Sequence, residues 1–199
     1  ATRVREIVRA SHIAGVRALT LYAFSTENWK RPEEELSVLW SLLKKYIRRE
    51  VKELKKNGVS LHVIGEFERL PKDARLELQH AIEVLKDGKN LKLTFALSYG
   101  GRAEILNAVK KIAAECKAGL LDPTLIDEAV FNKHLWTSHL GDHSDVDFLI
   151  RTSGEKRISN YLPWQTTYAE FDFPETLWPD YSVEQFHKSL ENFRNRSRR

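Results

Sequence analysis

The chain has 199 residues, of which 42% are apolar, 30% charged and 10% aromatic, a composition that supports one substantial core and excludes intrinsic disorder. Nine Gly and six Pro exclude a collagen-like or linker-dominated chain, and no apolar run approaches the ~20 residues of a membrane-spanning helix. Lys and Arg (32) exceed Asp and Glu (28) by four, and residues 188–199 alone hold five bases against Glu191, so the body is electrically balanced and calls for a local anion pocket at most, not a broad nucleic-acid-binding patch.

Val4, Ile7 and Val8 follow helical spacing, and Gly15 closes that first helix. Arg3, Arg5 and Arg9 alternate with its apolar residues, which is not a signal-peptide pattern. A chain that opens on Ala1-Thr2 in mid-helix and contains no Met reads as part of a longer protein. Val16 to Phe24 predicts a buried strand. Pro32 then sits at a plausible first helical position, ahead of three glutamates suited to the positive helix end. Leu36, Leu39, Trp40, Leu43, Ile47, Val51 and Leu54 recur every three to four residues and predict a long amphipathic helix to about Lys56, closed by Asn57-Gly58.

The alternation continues with a strand over 59–64, a helix over 71–85, a strand over 91–98, and a helix that follows Gly100-Gly101 and runs to about Lys117. A further helix is expected after Asp122-Pro123, short strands over 146–150 and 168–173, and a last helix over 183–193, with Thr137 to Asp145 read as a polar loop. Strands separated by helices imply an α/β fold, a mostly parallel central sheet with helices on both faces. No linker or internal repeat divides residues 1–199, which are read as one domain. The single Cys116 has no disulfide partner, fits a reducing cytoplasmic setting, excludes a zinc–thiolate cluster and, beside Ala113 and Ala114, suits helix packing.

In an open α/β sheet, ligands bind beyond the carboxyl ends of the strands. Three such loops, over 25–32, 98–102 and 151–160, mix hydroxyl residues, Gly and Arg. Forked guanidinium donors, hydroxyls and exposed backbone N–H groups match the geometry of a phosphate or diphosphate. Turn geometry and solvation account for the same residue types without a ligand. Neither the phosphate-loop pattern nor the dinucleotide fingerprint is present, so no nucleotide cofactor is indicated.

The strings Phe24-Ser25-Thr26-Glu27-Asn28-Trp29-Lys30-Arg31-Pro32, Ser98-Tyr99-Gly100-Gly101-Arg102 and Ile150 to Asn160 (IRTSGEKRISN), with Trp164-Gln165, Tyr168-Ala169-Glu170 and Leu177-Trp178-Pro179-Asp180, closely resemble the cis-prenyltransferases, in particular the bacterial undecaprenyl diphosphate synthases. The resemblance runs in order over essentially the whole chain. It implies a transferase that condenses isopentenyl diphosphate onto an allylic diphosphate such as farnesyl diphosphate, with Mg2+, forming cis double bonds and releasing diphosphate. The product would be a polyprenyl diphosphate such as undecaprenyl diphosphate, a carrier lipid of cell-wall synthesis. By the same resemblance Arg151, Arg157 and Ser159 would hold isopentenyl diphosphate, and Glu170 would be a metal-associated carboxylate. Ser25, Asn28 and Arg31 would sit at the reacting centre, with Asn28 and Ser25 assisting removal of the proton. Trp29 and Glu35 would belong to a mobile loop and helix start that close over the substrates. A homodimer is implied, as is a hydrophobic tunnel lined by the long helix, with Leu39 and Leu43 facing it so that enlarging either shortens the product.

The family's first strand and its Asp-Gly-Asn-Gly-Arg-Trp loop, which binds the allylic diphosphate, have no counterpart here. Almost no turnover is therefore expected of this chain by itself. Glu170 lies on an otherwise apolar strand, where a carboxylate calls for a metal or arginine partner. Arg151 and Arg157 have an alternative use in a structural network with Asp147 and Glu155. His139, Asp142, His143 and Asp145 carry metal-ligating groups, but a flexible loop is the preferred reading of that stretch. The basic tail from Arg194 to Arg199 suits peripheral contact with an anionic membrane, with simple solvation preferred. The alternative function is a non-catalytic partner subunit of the same fold, which intact Arg151, Arg157, Ser159 and Glu170 disfavour. A nucleic-acid binder or phosphate-ester hydrolase lacks the expected aromatic-basic surface or a nucleophile with its base.

Overall fold

Leu91, Leu93, Phe95 and Leu97 alternate along one strand and all are buried, as the two-residue period of a strand requires when that face packs on a core. The computed structural model describes residues 2–196 and places this strand, β3 (Leu91–Tyr99), at the centre of a three-stranded sheet between β1 (Ala18–Ser25) and β2 (Val59–Ile64). Both pairings are parallel, with Ala18 opposite Lys92 and Val59 opposite Leu91. The crossovers are α2 (Glu33–Lys56) and α3 (Lys72–Leu85), whose Trp40, Tyr46, Ile47, Leu54, Ala74 and Leu78 form the main core with the sheet. The first helix, α1 (Thr2–Ile13), adds Val8 to that core and turns Ile7 and Ala10 toward Tyr181 and Phe186. Tyr181 precedes and Phe186 belongs to α6 (Val183–Arg194), a helix opened by Ser182, whose hydroxyl accepts from Gln185 N at 3.2 Å.

Two register shifts decide what reaches the site. A shift in β1 between Tyr22 and Phe24 lets Phe24 join the α2–α3 core, although strict alternation from Leu19 and Leu21 would have given that face to Ala23. In β3, Ser98 adopts φ +49, and Tyr99 consequently joins the opposite cluster, with Ile64, Ala96 and Leu162. Bulges of this kind re-aim side chains at strand ends.

After β3, α4 (Gly101–Lys117) buries Glu104, Ala108 and Ile112 at four-residue spacing, and α5 (Glu128–His134) follows. Glu104 is 1% exposed, and burial raises its carboxyl above the usual range. Its Oε2 accepts from Tyr99 OH at 2.5 Å and Gln165 Nε2 at 3.1 Å, and its Oε1 from Trp136 N at 2.8 Å. These hydrogen bonds offset the cost of removing the group from water.

The α/β class and parallel pairing agree with expectation; three details differ. The strands form two sheets rather than one, since β4 (Phe148–Ile150) and β5 (Glu170–Asp172) pair with each other and the link to β1 runs through Tyr161, which stacks on Tyr22 at 4.5 Å and donates to Thr20 O at 3.0 Å. The Val16–Phe24 run is only half-buried, with Phe24 its one fully buried residue. Finally, Thr137 to Asp145 is not a flexible loop: Trp136–His143 forms 3-10 helix, kinked at Gly141, because Thr137 and Leu140 are buried and Lys92 Nζ donates to the carbonyls of His139 and Leu140 at 3.1 Å each.

This segment presses His139 onto His62 of β2, with ring centroids 4.3 Å apart. The His139 Nδ1 group donates to Trp136 O at 3.1 Å, which leaves Nε2 to accept from Thr94 Oγ1 at 3.0 Å. Burial first, then the positive charge that His139 and Lys92 can present, pushes His62 from 6.5 down to about 4. The unfolded chain therefore binds a proton at His62 before the folded one does, and stability present above pH 6.5 is lost as pH falls toward about 4. Thermal unfolding across that interval should show His62→Gln losing roughly 1–3 kcal/mol less than the parent; parallel pH profiles for the two proteins would refute the assignment.

Candidate functional site

At the end of β1, Ser25 N donates to Asn28 Oδ1 at 2.9 Å, which folds Thr26–Lys30 into one 3-10 turn and brings Ser25 and Asn28 together. Trp29 is docked against the core: its ring packs on Phe24 at 5.0 Å and Trp40 at 5.7 Å, and its Nε1 donates to Ser98 Oγ at 2.8 Å. Ser98 Oγ in turn donates to Glu66 Oε2 at 3.2 Å, which also accepts from Arg69 Nη1 at 2.5 Å. The Arg69 guanidinium lies 5.2 Å above the Trp29 ring, within range of a cation–π attraction. The sequence gives little sign of this arrangement, because its members come from three separate loops. Arg31 and Glu35 are half-exposed and 3.9 Å apart across the first turn of α2, a pair of little energetic weight.

The second corner forms after β4. Arg151 Nη1 donates to Arg157 O at 2.6 Å and to Ser159 Oγ at 2.7 Å. The intervening loop is pinned by Ser153 N to Thr176 O and Gly154 N to Pro174 O, both 2.9 Å, with positive φ at Ser153 and Gly154. Arg157 reaches outward to an ion pair with Glu155, whose Oε2 is also 4.0 Å from Arg151 Nη2. The structure thus brings Arg151, the Arg157 backbone and Ser159 together and gives the Arg157 side chain the Glu155 contact of the structural network. Asp147 instead accepts from Glu170 N through its backbone, at 3.0 Å.

Glu170 opens β5, with its side chain 37% exposed. Its Oε2 accepts from Arg196 Nη1 at 2.7 Å, and Arg196 also donates to Phe171 O at 3.0 Å and covers the Phe148 ring at 5.8 Å. The carboxylate therefore has the arginine partner that its strand position called for. Arg196 is correspondingly not simply solvated, as the tail reading held; Arg198 and Arg199 lie outside the described residues. Among the described residues, no three His, Cys, Asp or Glu side chains are grouped to hold a metal ion.

The third loop serves differently from the other two. Gly101 N donates to Asn160 O at 2.7 Å and Arg102 N to Asn160 Oδ1 at 2.9 Å, so the first N–H groups of α4 are spent on the protein itself. Both glycines allow close approach: a Cβ on Gly100 would lie 2.8 Å from Thr26 Oγ1 and 2.9 Å from Asn160 Nδ2, and one on Gly101 would lie 2.0 Å from Pro163 Cδ. The turn is a seat on which the other two loops rest.

Comparison with known proteins identifies the family. A family described as "Putative undecaprenyl diphosphate synthase" matches residues 1–199. An isoprenyl transferase of Chlorobaculum tepidum is 44% identical over 196 residues, 98% of this chain and 73% of the relative. One from Streptococcus thermophilus is 46% identical over 193 residues, 96% of this chain and 77% of the relative. Among solved structures, lavandulyl diphosphate synthase from Lavandula x intermedia, in complex with dimethylallyl diphosphate, superposes with a TM-score of 0.95 at 32% identity, covering 100% of this chain and 84% of that one. A probable undecaprenyl diphosphate synthase from Campylobacter jejuni gives 0.85 at 33% identity, covering 100% and 89%.

If the glycine turn seats the loops, Gly101→Ala must displace Pro163 and the segment before it. We expect a loss of roughly 1–3 kcal/mol of stability from overpacking, measured by denaturant unfolding; an unchanged midpoint would show that Pro163 yields freely.

Proposed function

Since the chain belongs to the cis-prenyltransferase (undecaprenyl diphosphate synthase) family, we propose that it condenses isopentenyl diphosphate onto an allylic diphosphate such as farnesyl diphosphate, yielding undecaprenyl diphosphate. The observation that carries this reading is the corner in which Arg151 Nη1 bonds the Arg157 carbonyl at 2.6 Å and Ser159 Oγ at 2.7 Å. In each cycle a carbon–carbon bond forms as the allylic carbon–oxygen bond breaks, diphosphate leaves with the electron pair, and a proton is lost from the isopentenyl unit. Arg151, Arg157 and Ser159 hold the isopentenyl diphosphate by charge-assisted hydrogen bonds. Asn28 and Ser25 take part in proton removal; Asn28 Oδ1 spends one acceptor position on Ser25 N and keeps the second. Arg31 supplies positive charge at the reacting centre, and Trp29 and Glu35 close over the substrates. Fixed donors of this kind stabilise developing charge better than reorienting water does.

Mg2+, which family membership implies, is ordinarily held by one or two carboxylates together with water and substrate phosphates. The donor set fits that mode: Glu170 offers one carboxylate, of which Arg196 engages Oε2, and no all-protein cage exists among the described residues. The ion would supply charge neutralisation at the diphosphate, next to Glu170. Leu39 and Leu43, half-buried on α2, face the growing chain in this reading, beside exposed Val38 and Leu42. A second copy of the chain would cover exposed Leu106, Val109 and Tyr168. No helix among the described residues is long and apolar enough to cross a membrane.

Calorimetric titration with isopentenyl diphosphate tests the assignment. Arg151→Ala should weaken binding about 10- to 100-fold, since a hydrogen bond to a charged group contributes roughly 1.5–3 kcal/mol, and Arg151→Lys should fall between the two. Equal affinity for parent and Arg151→Ala, or none for the parent, would overturn the reading.

A further inference from the structure

Asn160 stands where three segments meet, and its backbone is held in an unfavourable region. Ser159 and Asn160 have φ +46 and +62 in succession, a left-handed pair that costs roughly 1–2 kcal/mol per residue and is least costly for Asn. Three contacts hold it there. The Asn160 carbonyl accepts from Gly101 N at 2.7 Å, Oδ1 accepts from Arg102 N at 2.9 Å, and Nδ2 donates to Glu27 Oε1 at 3.4 Å. The first two satisfy N–H groups that a helix start cannot satisfy internally. The third reaches the turn that contains Ser25 and Asn28. Gly100 makes the crossing possible, because any Cβ there would meet both Thr26 Oγ1 and Asn160 Nδ2.

The chain direction at this point gives the arrangement its sense. Ser159 turns its hydroxyl to Arg151, while the next residue turns its amide to α4 and Glu27. Burial raises the Glu27 carboxyl pKa, but hydrogen bonds from its own N–H, Ser25, Asn160 and Thr26 together outweigh that and hold it below the usual range, so the acceptor facing Asn160 is a carboxylate.

We propose that Asn160 is a positioning residue that holds the diphosphate corner in register with the Ser25–Asn28 turn, so that occupancy of one orders the other. This rests on the proposed function, in which the first holds isopentenyl diphosphate and the second meets its proton. A misplacement of about 1 Å between such groups can cost about 100-fold in rate.

Asn160→Asp isolates the link. Asp tolerates the left-handed conformation and keeps an acceptor for Arg102 N, but it presents an oxygen to Glu27 where Asn160 presents a donor. Pairing it with Glu27→Gln restores a hydrogen bond of reversed direction, and Glu27→Ala cuts the same link from the other side should Asn160→Asp fail to fold. Hydrogen–deuterium exchange with and without isopentenyl diphosphate, with affinity measured by calorimetry, reads the coupling. In the parent, ligand should slow exchange over 151–160 and over 25–31, the latter about fivefold or more. In Asn160→Asp and in Glu27→Ala the affinity should change less than about threefold, with protection retained over 151–160 and lost over 25–31, and the Glu27→Gln/Asn160→Asp pair should regain it. Protection of 25–31 that is absent from the parent, survives in either single variant, or is not regained by the pair overturns the proposal, whereas a parent that binds no isopentenyl diphosphate overturns the functional reading beneath it.

Discussion

A buried carboxyl group held by neutral hydrogen-bond donors ties the middle of this molecule together. Glu104 accepts hydrogen bonds from Tyr99 at the end of β3, from Trp136 at the start of the 3-10 segment, and from Gln165 in the stretch that follows the arginine corner. Gln165 Nε2 also reaches Thr137 Oγ1 at 2.9 Å. A buried carboxyl group of this kind leaves little freedom, since each lost hydrogen-bond partner exposes the full cost of its desolvation. Three segments distant in the chain are thereby fixed to one atom group, and residues 157–163 are suspended between that anchor and the seat at Gly100-Gly101. The register shift at Ser98 is what delivers the Tyr99 hydroxyl to this point.

The two arginines of the diphosphate corner are prepared to different degrees. Arg151 has a side chain 26% exposed and both of its short contacts within the corner, so its conformational cost is met during folding. Arg157 is 63% exposed and pairs with Glu155 at the surface, where ion pairs contribute little. A diphosphate can exchange that pairing for bidentate, charge-assisted contacts at small loss. In the proposed function one guanidinium would fix the position of the ligand and the other would close on it.

How much of this was readable from the residues follows from the range of the contacts. The period of two in β3 and of three to four in α2 are local patterns, and both elements formed where expected. The Arg151–Ser159 corner was readable because its members lie within nine residues of one another in a loop whose composition is unusual. The cover that a strand receives is not local, so the apolar run of β1 read as buried although only Phe24 within it is fully covered. Polar residues over 137–145 read as loop because the burial of Thr137 and Leu140 depends on a sheet face formed elsewhere in the chain. The partners of Arg196 and Trp29 were not readable for the same reason: Glu170 and the Ser98–Glu66–Arg69 group lie far away in sequence.

Gly100-Gly101 shows why a glycine pair after a strand does not by itself announce a ligand. Glycine permits close approach of whatever comes next to the backbone, and a phosphate and a neighbouring loop make the same steric demand. The difference lies in where the freed N–H groups go. Here Gly101 N and Arg102 N go to the carbonyl and side chain of Asn160, so these two donors at the start of α4 are turned to the protein rather than to an anion. In the proposed function the diphosphate is met by the side chains of Arg151, Arg157 and Ser159, and the glycines serve that role indirectly by letting the loop that carries two of them rest on the start of α4.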